Sequence, residues 1–555
     1  MAKAGKKKRA RVVETAVVKE PVVHQIDGFI KRHATWLALA LILLGTIRIA
    51  ATYTVSYHTA DEPAHIGCGM QWLSQGIYSY EPQHPPLTRV VAALGPFLAG
   101  ARSTGKRDMY AEGIAVLGDG DRYEQNLTLA RCGNLLFFWL ACWMVFLWGS
   151  RTLGPAGAVF GVLIFTMTPT VLAHAGLATT DMGITAGFAA ATYCSVRMAE
   201  QPGPKTAWWL GLTGGLMVLT KFSALVFYPA AVVAALVVWL FQHRTSTSHL
   251  LPLVRARLPW LGTATFLGLL VIWAGYRFSF GKTIWIPFPV PFPELFPGIR
   301  EVIRHNSHGH IAYFLGEVSE SGWWIFFPTL LAVKLPIAAL ALIGVGLWRR
   351  PGVSGGWPFW IVTSTAAAIL LVVIPARINI GLRHILPMFP FLAVIGAVGL
   401  LWLAEQASQS QAALGTVAVL TLWLCISSLT AHPDYLAYFN AFAGSEPERI
   451  VVESDLDWGQ DIKRLGQRLR ELHATSVGFS PAIMLDPSQH GFPPWRWSAV
   501  DAPYPGWNAV QVTAWKEQRM GFRLQQPDVR LWPDYTKPVE RVGKSILLYY
   551  IPPQR

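Results

Sequence analysis

The stretch YHTADEPAHIGCG (57–69) places two adjacent carboxylates, Asp61 and Glu62, at the end of an apolar run, with His65 one turn later. A carboxylate held beside hydrocarbon has an altered proton affinity, which suits a general base. Helix capping, followed by Pro63 in the first turn, explains one carboxylate but does not require two. The Asp-Glu-x-x-His spacing also permits a metal site, although the motif lacks the second histidine of a zinc protease. We interpret the pair as functional, because ionisable groups so close to a membrane span usually are.

A second candidate lies in the following loop, in YEPQHPPLTR from Tyr80 to Arg89. Pro85 and Pro86 fix an extended backbone and then allow a helix to begin, so His84 and Arg89 can be presented rigidly. A basic group in such a loop can bind a lipid phosphate. A plain junction between loop and helix explains the same residues equally well.

The third candidate is Asp181, which opens an apolar helix in HAGLATTDMGITAGF (174–188). As an N-cap, its negative charge would complement the helix dipole. As a second acidic group facing the same cavity as Asp61, it would help to bind polar hydroxyls. The segment alone favours neither interpretation.

Basic residues recur within apolar sequence, notably Lys221 in LTKFS, Lys334 in LAVKLP and Arg383 in IPARINIGLRHILP. Some basic side chains near a membrane surface merely extend to water. An unpaired ammonium in apolar surroundings is costly, and a buried anion would remove that cost. The segment HNSHGH (305–310) permits metal binding, but its irregular spacing favours a flexible loop.

Membrane helices must position these side chains. The chain has 555 residues, of which 52% are hydrophobic and only 14% charged, and apolar runs of about 18–25 residues are long enough to cross a bilayer. The net charge of +14 is dispersed except for KKKRAR (Lys6 to Arg11), so a tail on anionic lipid explains it better than nucleic-acid binding. The five cysteines have no paired spacing and are interpreted as small hydrophobes.

The apolar runs predict a polytopic α-helical membrane protein with about eleven transmembrane helices. The predicted spans are 35–56, 126–149, 155–174, 181–199, 206–220, 222–241, 258–279, 323–348, 357–375, 384–403 and 412–431. If the N-terminus is cytoplasmic, the connectors rich in arginine and lysine fall inside, as membrane topology requires. The loops 57–125 and 280–322 and the C-terminal segment then lie outside.

This topology divides the chain into three parts. Residues 1–34 form a basic cytoplasmic tail, residues 35–431 a transmembrane domain, and residues 432–555 a small extracytoplasmic α/β domain with a helix near 460–473. We predict that LTRVVAALGPFLAG (87–100) is an interfacial helix, because it is short and contains an arginine. The expected location is the cell inner (plasma) membrane.

With these residues in place, the chain resembles GT-C fold glycosyltransferases. The resemblance is to the dolichyl-phosphate-mannose protein mannosyltransferase superfamily (family 39) and its bacterial relative, the aminoarabinose transferase of lipid A. The matching motifs are, in chain order, the Asp61-Glu62 pair, HPPL, Asp181 at the fourth span, LTK (219–221), VKLP (333–336), RHILPMFPFL (383–392), YLAYFNAFAG and ESDLDWGQDIKRL.

The resemblance implies transfer of a sugar, with inversion, from a polyprenyl-phosphate donor to a lipid, glycan or protein acceptor on the outer face. Asp61 would be the general base and Glu62 a supporting or capping group in the catalytic pair. Asp181 would shape the sugar or acceptor pocket, and fixed cations would stabilise the departing phosphate. The implied substrate-binding residues are Asp181, His65, His84, Arg89, Lys221, Lys334 and Arg383.

Two features depart from the family pattern. His84 stands where the family usually has a basic residue, and the C-terminal segment does not match the β-trefoil of eukaryotic members. The residues imply no metal ligand set and no certain cofactor, and a divalent cation is left open.

Two other classes of protein compete with this interpretation. A transporter or lipid flippase of the envelope would explain the spans, but should show two related halves with interrupted helices. A non-catalytic assembly subunit would tolerate the loss of Asp61. The sequence specifies neither the sugar, the acceptor, the prenyl chain nor the oligomeric state.

Overall fold

The computed structural model describes residues 22–243, 247–349, 356–483, 491–525 and 530–553. These residues are mainly helical, with a five-stranded sheet near the C-terminus. The predicted basic cluster from Lys6 to Arg11 lies outside the described residues.

The first half of the chain contains ten helices within the described ranges. They are α1 (Val22–Ala50), α2 (Glu62–Gln75), α3 (Pro86–Leu98), α4 (Met109–Gly118), α5 (Tyr123–Thr166), α6 (Pro169–Ala175), α7 (Asp181–Glu200), α8 (Pro204–Thr220), α9 (Ala224–His243) and α10 (Thr247–Gly275). The short helix α3 confirms the helix predicted for residues 87–100, and it is shorter than a span.

The second half contains the remaining described helices and a 3-10 helix, Leu382–Met388. The helices are α11 (Leu295–His308), α12 (Phe326–Lys334), α13 (Ile337–Trp348), α14 (Gly356–Val373), α15 (Phe389–Gln406), α16 (Gln411–Thr430), α17 (Ile462–Glu471), α18 (Val512–Gln525) and α19 (Trp532–Tyr535). Pro336 explains the break between α12 and α13, because the residue before a proline is driven out of the helical region. Leu335 is accordingly extended, and the two helices meet at 114°.

Helix α5 reverses direction at Gly154, whose φ of 77° is in the region that favours glycine. A Cβ on Gly149 would lie 2.7 Å from the Cα of Ala158, and one on Gly161 would lie 3.1 Å from the Val145 side chain. Residues far apart along the helix are therefore in contact, which requires two antiparallel halves. This break agrees with the predicted boundary between the spans 126–149 and 155–174.

Seven of the described helices are long and apolar enough to cross a membrane, or up to eight if α12 and α13 form one bent span. The predicted count of eleven is not confirmed. The two halves of α5 count as one helix of 44 residues, and α8 has only 17 residues. Helix α7 is rich in Gly, Ala and Thr and is buried among other helices, so it needs little apolar surface toward lipid.

The C-terminal segment contains a mixed five-stranded sheet in the order β6-β5-β7-β9-β8. Its strands are β5 (Val477–Ser480), β6 (Trp495–Trp497), β7 (Gly506–Gln511), β8 (Glu540–Val542) and β9 (Ile546–Ile551), and two hairpins precede it, β1 (Phe280–Gly281) with β2 (Val290–Pro291) and β3 (Ala312–Phe314) with β4 (Glu317–Ser319). Strand β5 runs parallel to β6 and β7, whereas β9 runs antiparallel to β7 and β8.

Helix α17 joins this sheet to the segment that follows α1. It buries Ile462, Leu465 and Leu469, spaced three and four residues apart, on one face. These side chains share one hydrophobic cluster with Tyr57 and Ile66. The C-terminal segment therefore packs directly on the loop that carries the adjacent carboxylates.

Candidate active site

Asp61 occupies the position before the first turn of α2, but its side chain makes no capping hydrogen bond. Its carboxylate accepts a hydrogen bond from Arg383 instead, with 2.6 Å between Oδ2 and Nη1. The side chain is 29% exposed. Asp61 is thus an accessible carboxylate held by a side chain 322 residues away, and capping does not explain it.

Glu62 occupies a different environment, because its side chain is completely buried. Its two oxygens accept hydrogen bonds from Arg131 at 2.8 Å each, and from the backbone N–H groups of Ala178 at 2.9 Å and Thr59 at 2.8 Å. Burial alone would raise the pKa of Glu62, but Arg131 and the backbone donors lower it. These contacts connect α2, α5 and the turn before α7, which supports the role of a supporting group.

Glu62→Gln is expected to destabilise the protein by about 3–5 kcal/mol at pH 7, because it leaves the Arg131 guanidinium buried without a counter-charge. The lowered pKa of Glu62 means that this stabilisation is present above the ordinary glutamate pKa and is lost as the pH falls through the folded-state value. The measurement is thermal unfolding in detergent as a function of pH.

The control is Glu301→Gln, which removes the partner of Arg304 at the surface, where both side chains retain exposure. An exposed pair of this kind contributes about 0–1 kcal/mol. Equal destabilisation by the two substitutions would contradict the structural role of Glu62.

Asp181 and Lys221 form the second ion pair of the site, with 2.7 Å between Oδ1 and Nζ. Asp181 begins α7 and Lys221 directly follows the last residue of α8, so two neighbouring helices present them at one end of the bundle. Arg383 Nη1 lies 3.9 Å from Asp181 Oδ2 as well as 2.6 Å from Asp61 Oδ2. Two carboxylates and two cations therefore form one continuous, charge-balanced cluster.

Three buried polar atoms around this cluster have no hydrogen-bond partner among the described residues. They are Asp181 Oδ2, Arg383 Nε and His384 Nε2. His384 also interacts electrostatically with Lys221 and Arg383. A buried polar atom without a partner is costly, so three beside one ion cluster indicate a place for a polar ligand.

Arg89, His84 and His65 form an adjoining cluster built around Glu81. Arg89 is almost fully buried and contacts the Glu81 carboxylate, the Tyr78 hydroxyl at 3.0 Å and His65 Nδ1 at 3.1 Å. His84 Nδ1 lies 3.1 Å from Glu81 Oε2. Burial and the nearby Arg89 lower the pKa of His65 well below its usual range, and burial lowers that of His84. The two histidines are thus neutral near pH 7.

Lys334 is buried against the C-terminal segment. Its ammonium donates to the carbonyl oxygens of Leu436 at 2.7 Å and Asp455 at 2.6 Å, and it lies 4.2 Å from the centroid of the Phe439 ring. This residue therefore joins α12 to the C-terminal segment. The predicted phosphate contact has no support from these contacts.

The HNSHGH segment is not the flexible loop that its spacing favoured, because His305 and His308 lie in the last turn of α11. His305 Nε2 lies 3.2 Å from His310 Nδ1, whereas His308 lies against the Arg304 carbonyl. In the part of the chain that the structure describes, no three His, Cys, Asp or Glu side chains are arranged to hold a metal ion.

Sequence reasoning missed Arg131, Glu81 and Trp458. Arg131 lies within a predicted span. A charged residue in a span needs a partner, so its position was the signal that could have identified it. Trp458 lies in DLDWGQD (455–461), and its ring centroid is 4.2 Å from the guanidinium carbon of Arg383. Its segment belongs to the family motif ESDLDWGQDIKRL (453–465), but that match assigned no role to the tryptophan itself.

The chain has the GT-C fold of membrane glycosyltransferases. This fold agrees with the helical architecture and with a site of mixed charge at one end of the helix bundle. Residues 123–276 match the family model described as dolichyl-phosphate-mannose-protein mannosyltransferase. This range includes Asp181 and Lys221 but neither Asp61 nor Arg383. The resemblance predicted from the sequence is confirmed at this level.

The similar solved structures include ArnT from Cupriavidus metallidurans in two states. The structure bound to undecaprenyl phosphate has a TM-score of 0.50 and 14% identity, covering 93% of this chain and 99% of that chain. The apo structure has a TM-score of 0.51 and 12% identity, covering 94% and 100%. No curated protein sequence matches this chain.

Proposed function

We propose that the protein is a membrane glycosyltransferase that moves a sugar from a polyprenyl-phosphate donor to a lipid, glycan or protein acceptor outside the cytoplasm. The observation that carries this proposal is the cluster of Asp61, Arg383, Asp181 and Lys221, where three buried polar atoms have no hydrogen-bond partner in the part of the chain that the structure describes. A ligand with an anionic group and many hydroxyls would pair with the charged side chains and would hydrogen-bond to the three buried polar atoms.

The proposed step is a single displacement with inversion. The acceptor oxygen bonds to the anomeric carbon while its proton passes to the Asp61 carboxylate. The bond from that carbon to the phosphate oxygen breaks, and its electron pair stays on the phosphate. Arg383 and Lys221 stabilise the negative charge that develops there, whereas Asp181 binds hydroxyls of the sugar or acceptor.

In this scheme the Asp61 carboxylate and the donor phosphate compete for Arg383. In the structure its Nη1 is paired with Asp61 Oδ2, so one oxygen of that carboxylate is occupied. The donor phosphate draws Arg383 away and thereby releases Asp61. Donor binding before the acceptor reacts is therefore the productive order.

The orientation we propose follows from the basic connectors. Residues 1–34 lie in the cytoplasm, residues 35–431 in the inner membrane, and residues 432–555 on the outer side with the site. Nucleotide sugars are not available on that side, which is why a lipid-linked donor fits the chemistry.

The test uses membranes that contain the protein and a radiolabelled polyprenyl-phosphate sugar. Label is followed into lipid, glycan and protein fractions, and matched membranes with Asp61→Asn are the control. We expect label to leave the donor only with the wild-type protein. Movement of intact donor across the bilayer without consumption would favour a flippase instead.

A further inference from the structure

The segment 455–461 of the C-terminal part (DLDWGQD) is hydrogen-bonded to the chain that precedes Asp61. The backbone N–H of Ala60 donates to the carbonyl of Trp458 at 3.1 Å, and that of Tyr57 donates to the carbonyl of Gln460 at 3.0 Å. These two bonds fix the backbone immediately before the proposed base. The segment thus contributes directly to the geometry at the start of α2.

The same segment holds the turn that carries Arg383. The Asp455 carboxylate accepts from the backbone N–H of Leu382 at 3.2 Å, and Ser454 donates to the carbonyl of Ile380. The indole of Trp458, only 2% exposed, lies against the guanidinium of Arg383 at 4.2 Å. Backbone and side chain of this turn are therefore both fixed by residues 454–458.

The sheet in turn fixes the segment itself. The two oxygens of Asp457 accept from Gln511 Nε2 at 2.8 Å and from the backbone N–H of Thr513 at 2.9 Å. Asp461 accepts from the hydroxyl of Ser545 at 2.8 Å. These anchors lie at the ends of β7 and β9, so Trp458 has little freedom to move.

We propose that Trp458 is a positioning residue for the transfer reaction: its ring face keeps the Arg383 guanidinium in the ion cluster, with Nε available to the donor phosphate that draws Nη1 from Asp61. An aromatic face attracts a cation most strongly where water is excluded, as it is here. The inference rests on the proposed function, and it gives the C-terminal segment a part in catalysis besides packing.

Purified full-length protein in lipid nanodiscs is used to test this. Trp458→Leu is expected to lower kcat/KM for the polyprenyl-phosphate sugar by about 10- to 30-fold. It should also weaken binding of sugar-free undecaprenyl phosphate by a similar factor and leave the KM for the acceptor unchanged. Trp458→Phe, which keeps an aromatic face, is expected to recover part of both losses.

The matched control is Trp532→Leu, which removes a tryptophan that is 1% exposed and packs against Tyr549 of the sheet, 4.6 Å between ring centroids. It should lower the melting temperature without changing donor affinity. Wild-type donor affinity in Trp458→Leu, or no recovery in a folded Trp458→Phe, would overturn the positioning role. A wild-type protein that neither binds undecaprenyl phosphate nor transfers sugar would overturn the proposed function itself, and the positioning role with it.

Discussion

Asp61→Asn is expected to reduce the rate of sugar transfer by about 10²- to 10⁴-fold, which is the usual contribution of a positioned general base. Asparagine has nearly the same shape but cannot accept the acceptor proton. The helix should not suffer, because the Asp61 side chain makes no capping hydrogen bond. Single-turnover rates with saturating donor measure the effect on chemistry alone.

The affinity for the donor phosphate should not fall with the transfer rate in Asp61→Asn. Once Asp61 is neutral, Arg383 loses the carboxylate with which it is paired. Undecaprenyl phosphate then has one charged competitor fewer and is expected to bind at least as tightly as to the wild type. A structural role for Asp61 would predict loss of binding and rate together.

The control is Asp108→Ala in the same loop region, residues 57–125. Asp108 caps α4 by accepting from the backbone N–H groups of Tyr110 and Ala111, and losing an N-cap costs about 0.5–2 kcal/mol. We expect lower thermal stability with normal transfer. Transfer by Asp61→Asn at the wild-type rate would exclude Asp61 as the base.

Arg383→Lys is the second substitution with a large expected effect, about 10²- to 10³-fold in kcat/KM for the donor. Lysine keeps the charge but has no planar fork that could contact Asp61, Asp181 and Trp458 together. The measurements are the kinetics of sugar transfer and, on the same variant, the affinity for undecaprenyl phosphate.

Arg377→Lys is the matched control, because Arg377 lies six residues earlier in the same segment, is exposed, and donates to the backbone carbonyl of Ser307, outside the ion cluster. It should leave donor kinetics unchanged. If Arg383→Lys behaved in the same way, the phosphate would have to be bound elsewhere, and the cluster around Arg89 would be the next candidate.

The members of the ion cluster could be predicted, because each of the four residues carries a signal in its own segment of sequence. Asp61 directly precedes a helix and Asp181 begins one, and Lys221 and Arg383 are cations in apolar sequence. Such residues must lie near a membrane surface and need partners. The structure brings these four together, although each segment allowed a second interpretation.

The remaining contacts depend on tertiary packing that no local pattern records. Glu62 pairs with Arg131, 69 residues away, and only this partner separates its role from that of the adjacent Asp61. Lys334 has apolar sequence around it as Lys221 does, yet its ammonium donates to the backbone carbonyls of Leu436 and Asp455 and not directly to a carboxylate oxygen. Apolar sequence predicts that a cation is buried, but it does not identify the partner.

The balanced charges of the ion cluster have a consequence for selectivity. A small soluble anion such as free phosphate must separate Arg383 from Asp61 and Lys221 from Asp181, and it gains in return only its own contacts with the polar groups of the site. A polyprenyl phosphate arrives with a tail that is already held in the membrane, and that binding can offset the separation. We therefore expect the protein not to bind inorganic phosphate at millimolar concentration. Because the charges of the site are paired with one another, the site selects anions that are anchored in the membrane.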